Sequence, residues 1–82
     1  MAGKLLRVTV ARVDGPVFDG EVVSLAVPSA SGNIELLANH ESLITPLKHG
    51  VIRIKKSDGS IETYELEKGT LEVSHNHATI LI

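Results

Sequence analysis

Four histidines, ten acidic side chains and no cysteine are the reactive inventory of this 82-residue chain. His75 and His77 stand two apart, so in extended backbone both imidazoles project from one strand face, where they can approach a common cation. Asn76 between them favours a turn, and the spacing fixes neither a third ligand nor a nearby carboxylate, so solvated turn histidines are the expectation and no metal site is assigned. The absence of cysteine removes disulfides, thiolate nucleophiles and cysteine-based zinc sites together, and is compatible with a reducing cytoplasm. A serine or threonine nucleophile needs a positioned base and a group to orient it, and no Gly-x-Ser-x-Gly elbow occurs. Neither glycine-rich phosphate cradle is present. Glu62, Glu65, Glu67 and Glu72 fall on turns and outward strand positions, where a solvated sheet ordinarily carries charge. These residues point to a binding module with no catalytic residue and no cofactor. His40 differs from the other histidines because it precedes apolar Leu43-Ile44 in an irregular loop; an exposed loop histidine and a polar tip at a contact rim both fit it.

A chain of this length makes one domain, and residues 1–82 are read as a single unit. Only Phe18 and Tyr64 are aromatic, so the core must be built from Val, Ile and Leu, which suits strands. The formal charge of −2 argues against nucleic acid, which normally demands a basic stripe with stacking aromatics. Met1 to Val13 lacks an apolar core of signal-peptide length, and no segment approaches the length of a membrane-spanning helix.

Alternation sets the elements. Leu6, Val8 and Val10 against Arg7 and Thr9 give a half-buried strand. Asp14-Gly15-Pro16 turns the chain. Asp19-Gly20 is a pair suited to positive φ, after which Glu21 to Val27 reads as a strand ending at Pro28. Ser29 to Asn33 is a loop of small turn formers before the apolar run Ile34 to Leu37. Leu43-Ile44 resumes after Asn39-His40-Glu41-Ser42, and Pro46 favours an edge or boundary there. Asp58-Gly59 between Val51–Lys56 and Ile61–Leu66 is a strong hairpin signal, with Ile52 and Ile54 inward and Arg53 and Lys55 outward. Two further turns at Glu67-Lys68-Gly69 and Ser74 to His77 bound Leu71-Glu72-Val73 and Ala78 to Ile82. Turn signals at this spacing predict an all-β fold, a two-layer antiparallel β-sandwich or flattened barrel of about 8–10 short strands.

Taken together, Phe18-x-Gly20, the loop glycine Gly32, His40 followed by Leu43-Ile44-Thr45, Gly50 with Ile52-Arg53-Ile54, and Gly69 with Leu71-Glu72-Val73 resemble the N-terminal β-sandwich of the epsilon subunit of F-type ATP synthases. The resemblance covers about Val8 to Ile82. It departs at Glu35, where the family usually has a second glycine, at Ala38-Asn39 in place of Pro-Gly, and at Ser42 in place of a frequent proline. Asn39 suits the replaced position because asparagine tolerates left-handed backbone. Family members generally continue into a pair of inhibitory helices; this chain stops at Ile82, which implies a naturally short form or a truncated piece, and neither inhibition nor nucleotide binding is carried over.

The resemblance implies a non-catalytic central-stalk piece of a bacterial-type enzyme, peripheral to the cytoplasmic face of the cell membrane, coupling the gamma subunit to the c-ring during proton-driven ATP synthesis. Matched residue by residue, Arg12, His40, Leu43, Ile44 and Thr45 fall on the gamma-facing side, and Ser31, Gly32 and Asn33 fall where the c-ring is approached. Asn33 stands where many relatives carry an acid, which implies weaker charge in ring docking. A free-standing β-sandwich adaptor for a peptide or carbohydrate is the alternative of a different class, and a small histidine metal enzyme the third; the adaptor is poorly equipped, with Tyr64 and Phe18 as its aromatic platforms.

Overall fold

The computed structural model describes residues 4–82, and all its regular elements are strands. Residues 1–3, the start of the expected 1–82 unit, lie outside the described residues. In chain order the strands are β1 (Leu6–Arg12), β2 (Gly15–Val22), β3 (Ser24–Ser29), β4 (Gly32–Leu37), β5 (Leu43–Leu47), β6 (Gly50–Lys55), β7 (Ile61–Leu66), β8 (Gly69–Ser74) and β9 (His77–Leu81). They follow one hydrogen-bonded path, β2-β1-β9-β8-β5-β3-β6-β7, with β4 on the other edge of β3. The path has a weak point: β5 meets β3 only at Ser29 and Leu47. There the sheet folds over, so β2-β1-β9-β8-β5 forms one layer and β4-β3-β6-β7 the other. This is the expected two-layer β-sandwich, with one pairing that differs: β1 and β9 run parallel. A parallel pair needs a long crossover, and here the whole of β2 to β8 supplies it.

Period-two alternation fills the space between the layers. Leu6, Val8 and Val10 of β1, Ile52 and Ile54 of β6, Leu71 of β8 and Ile80 of β9 have no solvent exposure, and every strand contributes at least one residue to the same apolar cluster. Such an interior is close-packed and deforms little, which makes the sandwich a stiff body. The aromatics close it. Phe18 of β2 and Tyr64 of β7 come from opposite ends of the strand path, yet their ring centroids lie 6.5 Å apart with planes tilted by 58°. Lys56 Nζ sits 5.8 Å from the Phe18 ring centre. Lys56 also donates to Glu62, whose other oxygen accepts from the Tyr64 hydroxyl at 2.7 Å. Burial of the two rings and this polar clasp join the free edges of a flattened barrel.

The Asp58-Gly59 hairpin forms as expected: Gly59 takes φ of 90°, and Asp58 Oδ1 accepts from the Ser60 amide at 2.8 Å. Asp19-Gly20 does not turn. β2 runs straight through it, because Gly20 faces inward opposite Val8 and the Phe18 ring lies across it, 3.5 Å from where a Cβ would stand. The glycine serves ring packing, and its φ is not positive. The chain instead breaks at Val23, and Pro28 lies inside β3 rather than ending it.

Three carboxylates are held below their ordinary values. Asp19 is lowered by the Arg7 guanidinium and then by the Thr9 hydroxyl, Asp58 by the Ser60 hydroxyl and amide, and Glu62 by Lys56 and then Tyr64. Tyr64 is raised by its bond to Glu62. A depressed acid contributes stability above its ordinary value, 3.8 for the aspartates and 4.5 for Glu62, and loses it as pH falls through the lower folded value. The raised tyrosine contributes below its ordinary 10.0 and loses it as pH rises further. The thermal midpoint is therefore expected to be flat between about pH 5 and 9 and to fall on either side. Glu62→Gln should flatten both limbs, and a midpoint that rises on acidification would contradict the assignment.

Candidate interaction surfaces

At the end of the sandwich where β1 begins, three segments meet on one side chain. The β8–β9 connection places His75 and Asn76 in the left-handed region, with φ of 52° and 60°. That turn sets the half-buried Asn76 amide between two other segments: its nitrogen donates to Leu5 O at 2.8 Å, and its oxygen accepts from Asn39 N at 2.7 Å. Asn39 itself has φ of 64°, the left-handed geometry expected of it. His40 follows, its amide donating to Leu37 O at 3.2 Å and its ring Nδ1 to Glu41 O at 2.8 Å. The imidazole is thus fixed against its own loop, with Nε2 left for a partner.

β5 leads away from this loop and alternates in a way that sorts the expected contact residues. Leu43 and Thr45 turn inward and are half-buried, Leu43 against the core; Ile44 points outward and is 71% exposed. An apolar anchor here is Ile44 alone. Register places it in line with Glu72, Thr79, Thr9 and Asp19 across β8, β9, β1 and β2. The neighbouring row contains Pro46, Thr70, Leu81, Ala11 and Pro16, and Leu81 is 57% exposed. Leu81 was absent from the expected surface residues, although its parity opposite to Ala78 and Ile80 marks it as outward.

Ser31, Gly32 and Asn33 lie at the other end. Ala30-Ser31 is the two-residue connection between β3 and β4, closed by Gly32 at φ of 127°. Ser29, nearly buried, holds it: its hydroxyl donates to Gly32 O at 2.5 Å and accepts from Ser31 N at 3.2 Å. Arg12 ends β1 at this same end, lining a shallow recess of about 250 Å³ with His49, Glu65, Leu66 and Glu67. Arg12 and His40 are therefore separated by the length of β1, roughly 20 Å at strand rise. The structure places His40 and the start of β5 with Ile44 toward one end of the sandwich and Arg12 at the other.

The histidines that suggested a metal make separate bonds. His75 Nδ1 meets Ser74 Oγ at 3.0 Å, and His77 Nε2 meets Thr9 Oγ1 at 2.8 Å. Among the described residues there is no group of three His, Cys, Asp or Glu placed to hold a metal.

A stiff aliphatic body with ordered polar loops at two opposite ends and a mixed outer face defines a small all-β sandwich domain. The chain belongs to the family of the ATP synthase delta/epsilon chain β-sandwich domain, whose profile matches residues 5–82. It is similar to the ATP synthase epsilon chain of Latilactobacillus sakei subsp. sakei (strain 23K), 41% identical over 80 residues that cover 95% of this chain and 55% of that one. The ATP synthase epsilon chain of Bacillus subtilis (strain 168) is 37% identical over 78 residues, 95% of this chain and 58% of the relative. The chain thus spans a little over half the length of these curated relatives. Among solved structures, a chain of the Euglena gracilis mitochondrial ATP synthase superposes with a TM-score of 0.89 at 20% identity, over 94% of this chain and 49% of that one. A chain from the central stalk and c-ring of the Tetrahymena thermophila mitochondrial ATP synthase gives 0.79 at 14% identity, over 99% and 65%. At these identities the likeness is one of fold.

Proposed function

We propose that residues 1–82 act as one unit, the coupling sandwich of the central stalk of an F-type ATP synthase, gripping the gamma subunit on one surface and seated on the c-ring by another. The observation that carries this reading is the separation of the two ordered loops to opposite ends of a close-packed body. Torque passed from a ring to a shaft requires a solid that does not shear and two adhesive regions far enough apart to hold different partners. The family match and the bacterial epsilon-chain relatives support it. Ser31, Gly32 and Asn33 face the ring; His40 and Ile44, with the edges of Leu43 and Thr45, face gamma, and Arg12 reaches gamma from the Ser31 end. The unit works without catalysis, nucleotide or cofactor, as a peripheral part of a proton-translocating complex on the cytoplasmic side of the membrane, and coupling belongs to the sandwich itself. A glycan-binding adaptor is disfavoured because Phe18 and Tyr64 are packed on each other.

Capture of purified gamma subunit tests the reading. Ile44→Asp leaves the core untouched, since the side chain is outward, and is expected to weaken capture about tenfold, as loss of an apolar anchor does. His40→Ala should weaken it less. Failure of the wild-type chain to capture gamma sinks the proposal, and equal capture by Ile44→Asp removes β5 from the contact.

A further inference from the structure

On the outer face of the β4-β3-β6-β7 layer, a hollow of about 300 Å³ opens beside Asn33, at the bottom of the size range of ligand pockets and suited to a side chain or two. Lys48, His49 and Arg53 stand around it. Arg53 points outward from β6 between Ala26 on β3 and Thr63 on β7, and neither it nor Lys48 takes part in an ion pair among the described residues. His49 approaches Glu67 at 3.9 Å, with both side chains mostly in water.

The lining decides which anion fits. Phosphate sites are typically built from convergent backbone N–H groups. Around this hollow Pro28 has no N–H, and the Lys48 amide is committed to Pro28 O at 2.9 Å. The side chains of Lys48 and Arg53 supply the charge instead. The Arg53 guanidinium offers the planar fork that matches a carboxylate, and Lys48 adds a point charge. Ala26, Pro28 and Val51 give an apolar lining against which a methylene stem can lie. Glu35, across Ala26 from Arg53, and Glu65, opposite Val51, temper the positive potential and favour a singly charged guest.

We infer that this hollow receives the carboxylate of a glutamate or aspartate carried on a polar loop of the partner that contacts Asn33. Under the proposed function, on which this assignment of the partner rests, that loop belongs to the c-ring. The ring-facing surface of this chain then docks through its own cations, with Asn33 supplying a neutral hydrogen bond at the edge.

Amide shifts of the chain titrated with N-acetyl-glutamate N-methylamide test it. Saturable shifts at Ala26, Gly50 and Arg53 are expected, with blocked glutamine giving none and inorganic phosphate binding more weakly. Arg53→Gln should weaken the glutamate response about tenfold, the scale of a lost charge-assisted bond, while Lys55→Gln, outside the hollow, leaves it unchanged. Both exposed substitutions should keep the wild-type thermal midpoint. Equal response to blocked glutamine, tighter phosphate binding, or equal loss in Lys55→Gln would overturn the inference. Capture of solubilised c-ring separates the two readings. If wild type and Arg53→Gln hold the ring equally, the hollow is not its contact while the stalk reading stands. If wild type holds neither ring nor gamma although blocked glutamate still binds, the stalk reading falls and the carboxylate site remains.

Discussion

Gly69→Ala is expected to cost about 3 kcal/mol of stability, a large fraction of what a domain of this size has, and to be read as a drop in the urea midpoint with an unchanged slope. The reason is a collision with backbone. A Cβ at Gly69 would stand 2.5 Å from the Leu81 carbonyl oxygen, and 3.4 Å from a Leu66 methyl. The methyl can swing aside; the carbonyl belongs to β9 and cannot move without opening the β8–β9 ladder. Gly69 also pairs with Leu47, beside the single Ser29–Leu47 link that folds one layer over the other. Strain there spreads to the seam. Gly59→Ala is the control: its φ of 90° penalises any side chain, but nothing lies within 4 Å of the new methyl, so only about 1 kcal/mol is expected. Equal costs at the two positions would mean that β9 yields to the new methyl, since the φ of Gly69 is not positive.

The two glycines illustrate what a sequence exposes and what it conceals. Asp58-Gly59 announces itself because a positive-φ turn between alternating runs is a local pattern, and Leu6-Val8-Val10 and Ile52-Ile54 announce their inward faces in the same way. Alternation says which face a side chain occupies and nothing about which strand lies beside it. The parallel pairing of β1 with β9, and the fold of the sheet at Ser29–Leu47, are contacts between residues far apart in the chain. Asp19-Gly20 misleads for a related reason: the glycine answers to the Phe18 ring two residues earlier on the same face, so Phe-x-Gly is a packing motif and not a turn.

The same distinction governs the candidate surfaces. That Ser31-Gly32-Asn33 and Asn39-His40 are loops follows from their residue types. That they sit at opposite ends, with Arg12 beside the first and not the second, follows from the strand path. Leu43 and Ile44 read alike as apolar, yet one step along β5 turns Leu43 toward the core and Ile44 to solvent. Leu43→Asp would therefore unfold the sandwich as readily as break a contact, and Ile44 is the cleaner probe of gamma.

By residue type Asn76 is a turn former, and its larger role depends on residues 37 and 71 positions away. Its side chain ties the β8–β9 turn to Leu5 and to Asn39, while its own carbonyl accepts from Arg7 N at 3.2 Å. Asn76→Ala loses both side-chain bonds and places a Cβ residue without a compensating bond at φ of 60°, so about 2 kcal/mol of destabilisation is expected. Asn76→Gly accepts the left-handed geometry and loses only the bonds, so it should recover some of that loss without reaching wild type. The local consequence is sharper than the global one. Without the bond to Asn76 Oδ1, the Asn39 amide should exchange with solvent much faster, and His40 should lose the fixed approach that gamma capture requires. Capture by Asn76→Gly is thus expected to weaken toward the level of His40→Ala even under conditions where the sandwich is fully folded. Wild-type exchange at Asn39 together with full capture would show that the loop is ordered by its own residues and that Asn76 serves the hairpin alone.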